Sequence, residues 1–175
     1  VFQKMRLPIS RSSILKTIDG AVMSFDGSSF LLNRPSVAYI IDREIFDKDL
    51  GKGLDVKYET KFLGFEKIKK AYLVETDKGD FHADIIIGAD GAVSRVREAA
   101  GLSGNVRYFS GVQFRIAAKT NNGNFVKVYI KKPFFSWVVP ENNGYVRAGI
   151  ISGNPFRDLK KFLQEIKLDG EIIDK

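Results

Sequence analysis

The sequence predicts a mixed α/β chain of the α+β kind, and three stretches carry that expectation. Lys61 to Ala83 reads as a small β-meander. Phe81 to Gly101 reads as a strand, a glycine turn and a short helix. Val112 to Ile151 reads as a set of antiparallel strands, and an amphipathic helix follows it. A chain of 175 residues, 44% hydrophobic and 28% charged, has ordinary globular composition and enough length to bury a core. One domain or two small ones are expected.

Taken in order, Val1 to Lys16 is mixed and broken by Pro8, and reads as an irregular lead-in, with a truncated helix as the alternative. Ala21 to Phe25 and Ser29 to Leu32 are short apolar runs. Asp26-Gly27 between them is a strong hairpin pattern. Val37 to Ile41 is another strand-like run. Asp42 can cap a helix reaching Leu50, which Gly51 and Gly53 end. Arg43 then lies at a helix N-terminus, where the macrodipole disfavours a cation, so it needs an anionic partner or open solvent. Asp47, four residues on, is a local partner of the right charge.

Asp55 to Tyr58 reads as a short strand. Lys61 to Ile68, Ala71 to Thr76 and Asp80 to Ala83 form the meander, turning at Lys69-Lys70 and Asp77-Lys78-Gly79. Lys67, Lys69 and Lys70 read as a solvated turn. Ile85 to Ile87 is a continuous apolar run too short for a typical helix, a pattern that suits a strand buried on both faces of a parallel sheet. Gly88 and Gly91 bracket Ala89-Asp90, so the backbone turns sharply and is open to close approach. Ser94 stands at an N-cap position, and Arg95 to Ala100 reads as a short helix stopped by Gly101. Such a corner presents a site at the carboxyl end of a sheet. Equally, it is a plain strand-to-helix corner with Asp90 in an Asx-turn.

Gly104-Asn105 marks a boundary. Beyond it Val112 to Ala118, Val126 to Ile130, Ser136 to Val139 and Tyr145 to Ile151 read as strands. Their turns are Asn121 to Asn124, Lys132-Pro133 and Asn142 to Gly144. Val126, Val128 and Ile130 alternate with Phe125, Lys127 and Tyr129, which predicts that the valine face is the buried one. Aromatic strands of this kind suit the wall of a ligand cavity. Asn154 can cap a last helix with Pro155 at its first position, and Phe156, Leu159, Phe162, Leu163 and Ile166 keep helical spacing.

No run of about 18 apolar residues is present, and the chain opens without a signal-peptide pattern. Cysteine is absent, which excludes disulfides and thiol catalysis in this chain and fits a cytoplasmic location. The one histidine, His82, cannot alone build a histidine metal cluster. No acid pair, Ser-His pair or metal cluster stands out. The net charge of +7 and pI near 9.5 suit either anionic lipid headgroups at a membrane surface or plain solubility. Nucleic acid is not an expected partner, because the basic residues are scattered rather than interleaved with aromatics.

Ala83-Asp84, Gly88-Ala89-Asp90-Gly91, Ser94 and Arg97 together resemble the second fingerprint of the FAD-dependent hydroxylase and geranylgeranyl reductase superfamily. The resemblance implies that Gly88, Ala89, Asp90 and Gly91 lie beside the FAD pyrophosphate. Arg43, Phe46, Asp47 and Leu50 are similar to that family's Arg-x-x-Phe-Asp-x-x-Leu element, whose arginine is placed near FAD. Phe135, Trp137, Pro140 and Gly149 resemble the geranylgeranyl reductase signature linked to holding the isoprenoid chain. Val139 stands there in place of a Phe and Ile151 in place of a second Gly. Read without the resemblance, Trp137 is a core aromatic on an inner sheet face.

The resemblance implies a partial FAD-binding, Rossmann-like domain with the β-meander, over 1–18 and 42–104. It also implies a partial substrate domain with an antiparallel sheet, over 19–41 and 105–175. The phosphate loop Gly-x-Gly-x-x-Gly and the family's third fingerprint are absent, so the chain is expected to be a central fragment of a longer flavoprotein. The implied activity is saturation of carbon–carbon double bonds in isoprenoid (geranylgeranyl) lipids. The implied reductant is NAD(P)H or a protein electron donor, and peripheral membrane contact is implied as well. Alternatives are an FAD-dependent aromatic hydroxylase or halogenase, and a non-catalytic lipid-binding module.

Overall fold

Asp26 and Gly27 both adopt positive φ (48° and 77°), the geometry of a tight hairpin turn. They join two long antiparallel strands, β1 (Ile14–Phe25) and β2 (Ser28–Ile41). The protein is described here from a computed structural model covering residues 10–102, 104, 106–118, 120 and 123–174. The expected lead-in therefore lies partly outside the described residues. Where it is described, Arg11–Ser13 is a single 3-10 turn, and the strand begins at Ile14 rather than Ala21. β2 is likewise one strand where two were expected. It runs through Pro35 because it is the edge of its sheet, where a missing N–H breaks no ladder. Ser36, at φ 54°, donates its N–H to Asp19 Oδ1 (2.8 Å), so the irregularity is satisfied by a side chain.

Helix α1 (Arg43–Gly51) follows, then β3 (Phe62–Ile68), β4 (Ala71–Thr76), β5 (Phe81–Ala83) and the short helix α2 (Arg95–Ala99). Next come β6 (Ser110–Ala117), β7 (Phe125–Lys131), β8 (Phe134–Pro140) and β9 (Tyr145–Ser152), then helix α3 (Pro155–Glu165) and β10 (Glu171–Asp174). Contacts divide the chain into two compact units, Val1–Lys52 with Phe109–Lys175, and Gly53–Tyr108. Residues 42–52, expected with the cofactor segment, fall by their contacts in the first unit.

The first unit is built on a seven-stranded sheet in the order β10-β6-β9-β8-β7-β1-β2. It is mixed rather than wholly antiparallel, because β1 runs parallel to β7 from Gly20↔Phe125 to Phe25↔Ile130. Alternation along β6, β8 and β9 sends Phe114, Ile116, Val138, Val146 and Ala148 to one face, where Leu159 and Phe162 of α3 cover them. Phe114 meets Phe156 edge-on, and Tyr129 meets Phe162 in the same way. Tyr129 thus belongs to the helix-covered face of β7, whereas Val128 and Ile130 line an open hollow. That reverses the expected polarity of this strand: a tyrosine ring buries more area against a helix than a valine does, and burial here raises the Tyr129 hydroxyl pKa. Asn154 makes no side-chain cap on α3; the Ser152 hydroxyl accepts the Asn154 N–H instead (3.2 Å). The turn expected at Asn121 to Asn124 is described only from Gly123 onward. β10, which pairs antiparallel with β6, was not expected, because a four-residue edge strand carries too short a pattern to read.

The second unit holds the expected meander, an antiparallel sheet in the order β3-β4-β5. Phe65 and Tyr72 pack edge-on across its first pair (5.6 Å). Two expected strands are not there. Residues 55–57 have no regular structure, and residues 58 and 59 turn, with Glu59 at φ 51°. Residues 85–89 are not a strand either, and Ile85 and Ile87 are 77% and 84% exposed. A strand needs a ladder partner, and no strand among the described residues pairs with this run.

Candidate functional site

In the second unit, the turn at 88–91 is fixed by its own acid. Asp90 Oδ2 accepts the N–H groups of Arg95 (2.7 Å) and Val96 (3.2 Å), and Oδ1 accepts the Ser94 hydroxyl. Ser94 Oγ in turn accepts the Arg97 N–H (3.0 Å). The first amides of α2, which have no partner inside the helix, are thereby satisfied by two side chains. The Ser94 hydrogen bond, aided by the backbone amides, holds the Asp90 carboxyl below the usual carboxylate range. Arg97 closes the loop from the other side, donating to the Ala92 carbonyl (3.0 Å) and to the Tyr108 hydroxyl. Gly91 sits at φ 88° with open space where a side chain would stand, so the turn exposes backbone. A cavity of about 680 Å³ adjoins it, lined by Tyr72, Asp84, Ile86, Gly88, Gly91 and Arg97 among others.

Arg43 belongs to the other unit. Asp42 caps α1 as expected, accepting from the Glu44 and Ile45 N–H groups (3.0 and 3.2 Å). The Asp42 N–H donates to the Ser13 carbonyl (2.8 Å) and Phe46 is buried, which fixes the helix at the foot of the β1–β2 hairpin. Arg43 makes the i,i+4 pair with Asp47 (3.0 Å) at an exposed position. The structure thus shows the local partner that the charge pattern offered.

The third candidate group lies on the sheet face that α3 leaves open. Trp137 pairs with Gly149, and Gly149 with Gln113, so the three form a row across β8, β9 and β6. The indole lies across Gly149: a methyl group there would sit 2.2 Å from Trp137 Cζ2, so only glycine fits beneath the ring. The indole Nε1–H reaches past it and donates to Gln113 Oε1 (3.0 Å). Phe135 is on the same face, its ring 5.6 Å from that of Trp137. Beyond Phe135 a shallow apolar hollow of about 380 Å³ is lined by Met23, Val128, Ile130, Pro133 and Phe134. Trp137 is therefore outside the core cluster, half-buried on the open face. Pro140 is not with it; the alternation of β8 sends Pro140 to the buried side.

The open face ends in charge. Glu141, its side chain 2% exposed, takes Arg115 Nε on one oxygen (2.8 Å) and Arg147 Nε on the other. The Glu141 hydrogen bond raises the Arg115 pKa, with Tyr145 and Asp174 adding to the effect, and the Arg115 guanidinium lies 4.4 Å over the Tyr145 ring. Neither Gln113 nor this triad was expected. The Gln113–Trp137 and Arg115–Glu141 links join residues 24 and 26 positions apart, which only the sheet order brings together, whereas Arg147 reaches Glu141 across the β8–β9 turn.

No protein-family model matches the chain. It is 28% identical to the protein MJ1520 of Methanocaldococcus jannaschii, over 91% of this chain and 45% of that one. It is 27% identical to the digeranylgeranylglycerophospholipid reductase of Methanosarcina mazei, over 79% of this chain and 40% of that one. The chain thus spans less than half the length of these relatives. A geranylgeranyl bacteriochlorophyll reductase-like protein from Thermoplasma acidophilum superposes with a TM-score of 0.84 at 21% identity, over 97% of this chain and 52% of that one. The halogenase PltM, solved with phloroglucinol and FAD, superposes with a TM-score of 0.65 at 16% identity, over 87% of this chain and 40% of that one. In sequence the chain is similar to digeranylgeranylglycerophospholipid reductases, and in fold it matches a geranylgeranyl bacteriochlorophyll reductase-like protein and a halogenase solved with FAD.

Proposed function

We propose that this chain contributes the substrate sheet and a cofactor-facing turn of a flavin-dependent reductase. Its reaction is saturation of carbon–carbon double bonds in the isoprenoid chains of membrane lipids or their precursors. The observation that carries this reading is the open sheet face, where Phe135, Trp137 and the hollow beyond them form an apolar strip. An isoprenoid chain asks of its site area and exclusion of water rather than hydrogen bonds. Phe135, Trp137 and Gly149 supply the wall, with Gly149 letting the indole lie flat. Pro140 is assigned to holding the end of that strand. The similarity to reductases rather than halogenases in sequence favours this chemistry.

FAD is the cofactor implied. The 88–91 turn suits a phosphate-bearing group, because its backbone is exposed, Gly91 has no side chain, and the Asp90 carboxylate is turned back onto α2. Gly88, Ala89, Asp90 and Gly91 are assigned to that contact. Arg43 is assigned to the cofactor side too, its exposed guanidinium being free to exchange Asp47 for a phosphate. Bound flavin supplies the hydride; the residues of this chain position the substrate and keep water out. NAD(P)H or a protein donor would reload it. No helix among the described residues is long and apolar enough to cross a membrane, and the basic surface is assigned to peripheral contact with anionic headgroups.

The test is anaerobic reduction by the full-length protein, supplied with NAD(P)H or a chemical reductant for its flavin, of a phospholipid bearing geranylgeranyl chains, followed by mass spectrometry. The product should gain one hydrogen molecule per double bond. Trp137→Phe should change turnover or chain-length preference while the Tm moves little. A protein that leaves the lipid intact in this assay but, when supplied with O2, hydroxylates or halogenates an aromatic compound would overturn the reading.

A further inference from the structure

We propose that Gln113 is a positioning residue for Trp137, holding the indole flat across Gly149 and so setting the shape of the apolar strip. The proposal rests on the reading above for its consequence, but its geometry stands alone. A tryptophan on an open sheet face has one polar atom to satisfy, and its N–H is costly to leave without an acceptor once the ring is half-buried. The strand carbonyls beneath it are engaged in the β8–β9 and β9–β6 ladders. The Gln113 amide oxygen, at 3.0 Å from Nε1, provides the acceptor. It stands two strands away, beyond Gly149, so the bond can form only with the ring laid across β9. Gly149 permits that pose, since a methyl there would overlap the ring, and the Gln113 bond selects it. Glycine below, glutamine at the far edge and Phe135 at the near edge leave the indole one orientation, with an apolar face outward.

The sequence contains one tryptophan, so fluorescence excited beyond the tyrosine absorption band reports on Trp137 alone. Gln113→Leu removes the acceptor at similar volume, and Gln113→Glu keeps an acceptor in the same place. Anisotropy should fall and acrylamide quenching should rise in Gln113→Leu, while Gln113→Glu stays near the native chain. Gln113→Asn, whose oxygen is one methylene too short, should behave as Gln113→Leu and serves in its place should that variant not fold. Native-like anisotropy in both the Leu and Asn variants overturns the proposal, as does a Glu variant as mobile as the Leu one.

Titration with geranylgeraniol, read by the same fluorescence, carries the consequence. Loss of one such bond should weaken binding about two- to tenfold in Gln113→Leu. Equal affinity in native and Leu chains also overturns the proposal. If geranylgeraniol binds no variant while the anisotropy contrast holds, the positioning is upheld and the lipid reading fails.

Discussion

Asp90 shows how a residue singled out for a cofactor is already employed within the chain. Its two oxygens accept two helix amides and a serine hydroxyl, so its charge is spent on the start of α2. Its effect on a bound phosphate would be indirect, through the backbone it holds in place. Asp90→Ala should therefore lower stability at neutral pH. A carboxyl with a depressed folded pKa adds stability that is fully present above its unfolded value, about 4, and is lost as pH falls through the folded value. The gap in Tm between native and Asp90→Ala should accordingly hold from neutral pH to about 5 and close in stronger acid. A gap that stays constant into acid would show that packing, not the carboxylate, is what the variant loses. The sequence made this local role readable, because Asp, Ser and a following helix stand in the right order. For Arg43, likewise, the local partner Asp47 could be named in advance. Gln113 could not be, since its partner is 24 positions away.

At the level of elements, periodicity fixed α3 and missed where pairing decides. Pro155 to Glu165 carries its apolar residues on one stripe, and Leu159 is fully buried against the sheet. Leu159→Ala should cost about 2–5 kcal/mol, read by urea unfolding, since it opens a cavity between helix and sheet. A loss below about 1 kcal/mol would mean that the helix settles onto the sheet to fill the gap. The three isoleucines at 85–87 mislead in the opposite way. Their composition is that of a buried strand, yet a strand is a property of two segments, and no segment among those described stands beside them. β7 was read on the wrong face for a related reason. Both of its faces are part-buried, so the alternation of side-chain polarity does not separate them as it does on a strand with one face in water.

At the scale of the molecule, the sequence has no Gly-x-Gly-x-x-Gly loop, and the turn at 88–91 offers backbone without a built cradle of side chains. This chain on its own should purify without flavin colour, and stoichiometric flavin absorbance would show that the turn binds far more tightly than this geometry suggests. Broad architecture was legible because the hairpin, the meander and the later strands are each local. The parallel joint between β1 and β7 was not, and it has a kinetic consequence. Asp19 ties the joint, taking the Asn124 side-chain N–H (2.9 Å) while its own N–H meets the Asn124 carbonyl (2.9 Å), across 105 positions of chain. In sequence, residues 53–108 of the second unit all fall between those two strands. Contacts of such separation must close a long loop before they stabilise anything, whereas β6, β8, β9 and α3 are near neighbours in sequence. The β6–β9 sheet with α3 should thus gain amide-exchange protection early in refolding, and the β1–β2 hairpin should dock onto β7 last. Protection of Ala21 to Phe25 ahead of Phe114 to Ile116 would reverse that order.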